Sequence, residues 1–237
     1  MEAKKNEGKR RVGICAFCGE NGKVGRDHVP PKGLFKEPYP PNMITVPACD
    51  RCNTGSSGDD NLLRRAFALD MRSSNSAEQS AEKALRDPSL LPWMKNNAEW
   101  IQKVKTPNGT ALQVAIAPEP ILRLIGKISR GLIYHHTKKY EPRLVYYSYP
   151  MTEGIQELLD EKILALYYLA VKKPSFSRAV QEQVFEYRIA NIGRTMWAVA
   201  TNFYVAHNFL CVAGIPKAQM TDEEISSIET RTVNIEL

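Results

Sequence analysis

Hydrophobic positions along this chain recur at helical spacing in some stretches and alternate in others. One long stretch near the N-terminus does neither. Ile121, Ile125, Ile128 and Leu132 fall at i, i+4, i+7 and i+11, with Arg123, Lys127 and Arg130 on another side, which predicts an amphipathic helix. Leu62, Leu63, Ala66, Phe67 and Leu69 predict a second helix starting near Asn61, with Asp59 and Asp60 as its cap. Further helices are expected over residues 77–85, over 92–104 (Trp93, Ala98 and Ile101 at helical spacing) and over 152–171. Strand patterns cover 110–117, 144–149, 180–189, 196–205 and 209–215, the last two joined by a turn at His207-Asn208. Thr106-Pro107-Asn108-Gly109 reads as a turn, and Thr221-Asp222-Glu223-Glu224 as a capping box opening a short final helix.

The stretch without periodicity, residues 12–60, is punctuated by Gly, Pro and Asn and carries four of the five cysteines as Cys15-Ala16-Phe17-Cys18 and Cys49-Asp50-Arg51-Cys52. Two-residue knuckles present paired thiolates to one soft ion, so Cys15, Cys18, Cys49 and Cys52 are expected to bind Zn²⁺. A site of four thiolates is closed and stabilises the fold without catalysing. The knuckles are thirty residues apart, enough to hold a substantial segment between them. Residues 1–11 are charged and lack the apolar run of a signal peptide, and no run of about 18 apolar residues exists. Together with paired cysteines, this predicts a cytoplasmic protein with metal-bound thiols and no membrane segment. Cys211, inside an apolar strand, is expected to be a core residue.

Between the knuckles lies Asp27-His28-Val29-Pro30-Pro31, and Asn53 directly follows the last cysteine. These residues resemble the HNH (ββα-metal) endonucleases, in the subgroup stapled by four cysteines, over residues 15–60. The resemblance implies that His28 is the general base activating water, and that Asp27 and Asn53 ligate a catalytic Mg²⁺ or Mn²⁺. It places Asn42 as the middle member of the motif, steadying the loop that carries the histidine. Asn42 lies seven residues before Cys49, where the common spacing is about five. The stretch after Asn53, Thr54-Gly55-Ser56-Ser57-Gly58, lacks the basic residue many relatives carry.

Charge adds a partner class. The net charge is +6, with seven Lys/Arg against three Glu in residues 1–26 and six against two in residues 119–143. Basic segments flanking the motif suit a phosphate backbone. The expected architecture is therefore α+β: a basic disordered arm over 1–11, a zinc-stapled ββα-metal module over 12–72, and a mixed helix and antiparallel-sheet body over 73–237. The expected function is hydrolysis of phosphodiester bonds in nucleic acid, DNA favoured over RNA, with oligomeric state open and a homodimer included. Two alternatives stand beside it. One is a zinc-dependent nucleic-acid-binding module without catalysis; the other is a defence-type nuclease gated by a ligand or partner on the C-terminal body. His135 and His136 diverge by about 100 degrees on a helix and are expected to favour its C-terminus rather than share a metal. Trp197 and Phe203 read as sheet core, with base stacking as the alternative, and His207 reads as a turn residue.

Overall fold

The architecture is that of a computed structural model describing residues 11–35, 37–55, 57–70, 86, 88, 90–96, 98, 101–106, 109–114, 119–151, 156–193 and 195–221. The expected helix over 77–85 and the capping box from Asp222 onward lie outside these residues, as does the basic arm up to Arg10. Arg11 belongs to strand β1.

Three short strands open the chain: β1 (Arg11–Ile14), β2 (Asn21–His28) and β3 (Thr45–Ala48), hydrogen-bonded in the order β1-β2-β3. The first half of β2 pairs with β1, from Arg11 opposite Val24 to Ile14 opposite Asn21. Its second half pairs with β3, setting Asp27 opposite Val46 and His28 opposite Thr45. Helix α1 (Asp50–Thr54) follows β3 directly, so β2, β3 and α1 form a ββα unit. Helix α2 spans Ser57–Leu69. It starts four residues before the expected Asn61, which places Asp59 and Asp60 in its first turn and not at its cap.

The body is built on a five-stranded antiparallel sheet. Its strands are β6 (Val145–Pro150), β7 (Phe176–Gln181), β8 (Phe185–Asn191), β9 (Met196–Phe203) and β10 (His207–Gly214), in the order β6-β10-β9-β8-β7. Helix α4 (Glu119–Thr137), with Ile121, Leu124, Ile125, Ile128, Leu132 and Ile133 buried, packs on one face together with α2. Helix α5 (Glu161–Lys172) covers the other face over β8 and β9. A hairpin of β4 (Ile101–Thr106) and β5 (Gly109–Val114) and a short helix α3 (Leu90–Asn96) complete the described elements. The class is α+β, as expected. No described helix is long and apolar enough to cross a membrane.

Four element assignments are corrected. The helix expected over 92–104 stops at Asn96, and residues 101–104 instead belong to β4, which pairs antiparallel with β5; the turn expected at Pro107-Asn108 lies outside the described residues. The helix expected over 152–171 is interrupted at residues 157–160, and α5 begins at Glu161, where the Asp160 carboxylate accepts from the Lys162 N–H at 2.7 Å and fixes the start. The strand expected over 180–189 is the β7–β8 hairpin, turned at residues 182–184 with Gln183 at φ 61°. The turn expected at His207-Asn208 lies at residues 204–206, and His207 opens β10, buried and stacked on Phe67 at 4.2 Å.

Side-chain alternation assigns each sheet face its own core. Tyr187, Ile189, Trp197, Val199, Phe203, Phe209 and Cys211 face α4; Ala190, Ala198, Ala200 and Leu210 face α5. Trp197, Phe203 and Cys211 are buried there, so neither aromatic offers a base-stacking surface. The α4-side core continues without a break into Phe17, Val29, Leu34, Phe35, Ile44 and Val46 of the three-stranded segment. Members of this core lie on both sides of the expected boundary at residue 72. Gly131 of α4 permits one close approach: a Cβ there would stand 2.7 Å from Val29 Cγ2.

Candidate metal centre and the Asp27–His28 edge

The link from β1 to β2 and the link from β3 to α1 each carry one knuckle. In the first, Gly19 at φ +74° turns the chain, and its N–H donates to Cys15 O at 2.9 Å. In the second, Cys49 is the N-cap of α1, and its N–H donates to Cys15 Sγ at 3.4 Å. The Ala16 N–H donates to Pro47 O at 2.8 Å, tying the knuckles together through the main chain. Outside them, Arg51 and Glu20 pair at 2.7 Å on the exposed surface.

The four Sγ atoms all lie within 4.8 Å of one another. A tetrahedron with Zn–S bonds of about 2.3 Å has edges of about 3.8 Å, and Cys18 Sγ stands 3.7 Å from Cys49 Sγ. The set therefore fits one tetrahedral ion, and all four cysteines are free thiols. Their acidities conflict as long as no cation is shared. Burial opposes ionisation of Cys15, but the N–H groups of Cys49, Cys18 and Phe17 outweigh it and bring the thiol down to about 7. Burial and the neighbouring thiols push Cys52 up, and burial also raises Cys18. One thiolate forms readily and suppresses its neighbours; a dication removes that conflict.

Asp27 and His28 end β2, one residue before Val29, whose N–H donates to Ile44 O at 3.0 Å. The period of the strand turns their side chains to opposite faces. His28 is half-buried, and its pKa lies below the ordinary histidine value. Burial is the main cause and the nearby Lys32 ammonium adds to it, with Asp27 pulling the other way. Asp27 is largely enclosed, and its Oδ2 lies 2.8 Å from Lys127 Nζ of α4. The approach is that of an ion pair lacking hydrogen-bond angles. Lys127 also lies over the Phe17 ring, 4.8 Å from its centroid.

Asn53 is the fourth residue of α1, its N–H bonded to Cys49 O at 3.0 Å, so it belongs to the first turn of the motif's helix. Asn42 faces elsewhere. With its amide oriented to satisfy both ends, it donates to Val180 O and accepts from Arg178 Nη2, each at 3.2 Å. The segment after Asn42 reaches the histidine loop through its main chain, by the Ile44 O contact to Val29. Among the described residues, no second group of three His, Cys, Asp or Glu gathers around one point. A divalent ion at Asp27 and Asn53 would rest on one carboxylate, one amide and water, in competition with the Lys127 ammonium.

Three residues that sequence reasoning did not assign here bind this region to the body. Lys127 holds Asp27. Arg130 donates from Nη1 to Phe17 O at 2.6 Å and lies over the Tyr146 ring at 4.4 Å. Tyr204 is buried and donates to Leu34 O at 2.7 Å, on the loop that follows His28. The charged stripe of α4 was visible in the sequence; its landing point was not. His135 and His136 depart from the expected helix-terminus preference for positive charge. Burial, with Lys138 and Arg178 adding, pushes both towards the neutral form, His135 to about 4. His136 Nε2 shares a 2.9 Å hydrogen bond with Tyr187 OH and the ring stacks on Phe176.

Compared with family models, curated proteins and solved structures, the chain gives no significant match.

Proposed function

We propose that this chain is a metal-dependent endonuclease of the HNH kind, hydrolysing phosphodiester bonds in DNA with His28 as the base that activates water. The observation that carries the reading is the state of His28. It stands at the end of β2 inside a ββα unit closed by four thiols, and burial keeps its imidazole in the neutral, proton-accepting form. In this reading Zn²⁺ sits among the cysteines and holds the unit together. Asp27 and Asn53 hold Mg²⁺ or Mn²⁺, which supplies charge neutralisation at the phosphate oxygens and the leaving oxygen. Asn42 steadies the site only at a distance, by anchoring its segment to β7.

The test is cleavage of supercoiled plasmid by zinc-loaded protein with Mg²⁺ or Mn²⁺, against EDTA. His28→Ala should lower the rate by roughly 10²–10⁴-fold while DNA binding is retained, the usual contribution of a general base. Equal cleavage by His28→Ala, in preparations free of contaminating nuclease, would overturn the mechanism.

The Asp27–Lys127 pair favours a second reading. A carboxylate already answered by an ammonium needs no metal, which suits a module that binds nucleic acid without cutting it. It equally suits a nuclease that waits for a ligand or partner on the body to draw Lys127 away. DNA shifted in a salt-sensitive way but left intact with either metal would select this reading.

A further inference from the structure

Between α4, the edge strand β6 and the first zinc knuckle lies an open cavity of about 450 Å³, lined chiefly by Phe17, Arg123, Lys127, Arg130, Tyr146 and Ser148. Its walls carry three cations against one carboxylate, Glu119. The cations have distinct settings. Arg130 is fixed against Phe17 O and the Tyr146 ring, so it forms the floor. Arg123 stands at the rim, 57% exposed, in a 3.3 Å surface pair with Glu119 that contributes little and can yield to a stronger anion. Lys127 belongs to both places, since it lines the cavity and touches Asp27. Lys127 therefore links the cavity to Asp27, on the face of β2 opposite His28.

We propose that this groove seats a single strand of nucleic acid, its phosphates on Arg123 and Lys127, and thereby delivers the adjoining phosphodiester to the Asp27–His28 edge. The inference rests on the nuclease reading and supplies its substrate form. Guanidinium groups recognise phosphate oxygens in a planar, two-point geometry, and a basic wall beside aromatic rings is the arrangement that tracks single strands. A cavity of this volume matches small-ligand pockets and admits a nucleotide or two of an unpaired strand.

The experiment is fluorescence anisotropy of the full zinc-loaded chain with a labelled twelve-nucleotide single strand and with the same sequence as duplex. It is run without added Mg²⁺ or Mn²⁺, over a series of salt concentrations. The single strand should bind at least tenfold tighter than the duplex. Arg123→Glu should weaken single-strand binding at least tenfold and reduce the salt slope by about one, with its thermal melt unchanged because Arg123 is exposed. If Arg123→Glu binds the single strand as tightly as the unaltered protein, or duplex binds as well as single strand, the groove is not the seat. Continued plasmid cleavage in that case leaves the nuclease reading standing. An unaltered protein that binds neither form overturns both.

Discussion

The three-stranded segment and the five-stranded sheet meet in one core, yet they are held by different means. Strands β1 and β3 are four residues long, β1 burying none of its residues and β3 only Val46 and Ala48, and their connections converge on four sulfurs. Strands β9 and β10 are eight residues long, with a run of buried side chains on both faces. The sheet draws its order from the chain itself. The segment brings four thiols to one point where an ion fits, and the seam between the two regions decides whether disturbance of that cluster spreads. At the seam stand Lys127 on Asp27, Arg130 on Phe17 O and Tyr204 on Leu34 O.

The sharpest way to break the comparison is to remove the ligand. Cys52→Ser, or a strong chelator, should abolish zinc in elemental analysis and expose the segment to protease. Structural zinc in small motifs is worth on the order of 10 kcal/mol of folding energy. Because the core is shared, the melting temperature of the whole chain should fall as well; an unchanged melt would mean the sheet stands alone. Next in size is Lys127→Met, which leaves an enclosed carboxylate unpaired. It should lower stability by about 3 kcal/mol, the lower end for a pair still touched by solvent, as read in denaturant titration. Asp27→Asn in the same background should restore part of that loss. Tyr204→Phe strips one buried donor from Leu34 O and should cost about 1–2 kcal/mol, with hydrogen exchange rising in the loop after His28. The smallest effect belongs to acidity in the body. His135 has a folded pKa near 4, so the unfolded chain binds the proton that the folded chain refuses below the ordinary histidine value of 6.5. Stability should therefore fall as pH drops from about 6.5 towards 4, and His135→Gln should flatten that slope in thermal melts.

The parts of this molecule legible in its sequence are those whose signal is local. Cysteine pairs two residues apart announce a metal site because the chain itself fixes their separation, and the sulfurs do converge. The α4 helix was legible because one stripe of isoleucines and leucines fits a single period. Residues 92–104 were not, since Trp93, Ala98 and Ile101 satisfy helical spacing while Ile101 and Val104 find their partners across a hairpin. The turn at 182–184 has no Gly, Asn or Pro, and Gln183 adopts a positive φ because the paired strands on either side impose it. Asp27 and Lys127 are a hundred positions apart, and no local pattern links a carboxylate to the lysine that will answer it. The same holds for Asn42, which the motif directs to the histidine loop and the fold directs to β7.

The seam also sets an order of events as the chain is made. Cys15 and Cys52 lie 37 positions apart, so the knuckles can close on a metal while the rest is still being synthesised. Phe17 must wait 113 residues for Arg130, and Leu34 must wait 170 for Tyr204. Between those moments the cysteine-paired segment carries Val29, Leu34 and Phe35 uncovered, side chains that are buried once the sheet arrives. Contacts of such long sequence separation form late. The emerging chain therefore passes through a stage in which its chemistry-bearing edge is already shaped while its apolar underside is still adhesive, the stage at which a chaperone has most to offer it.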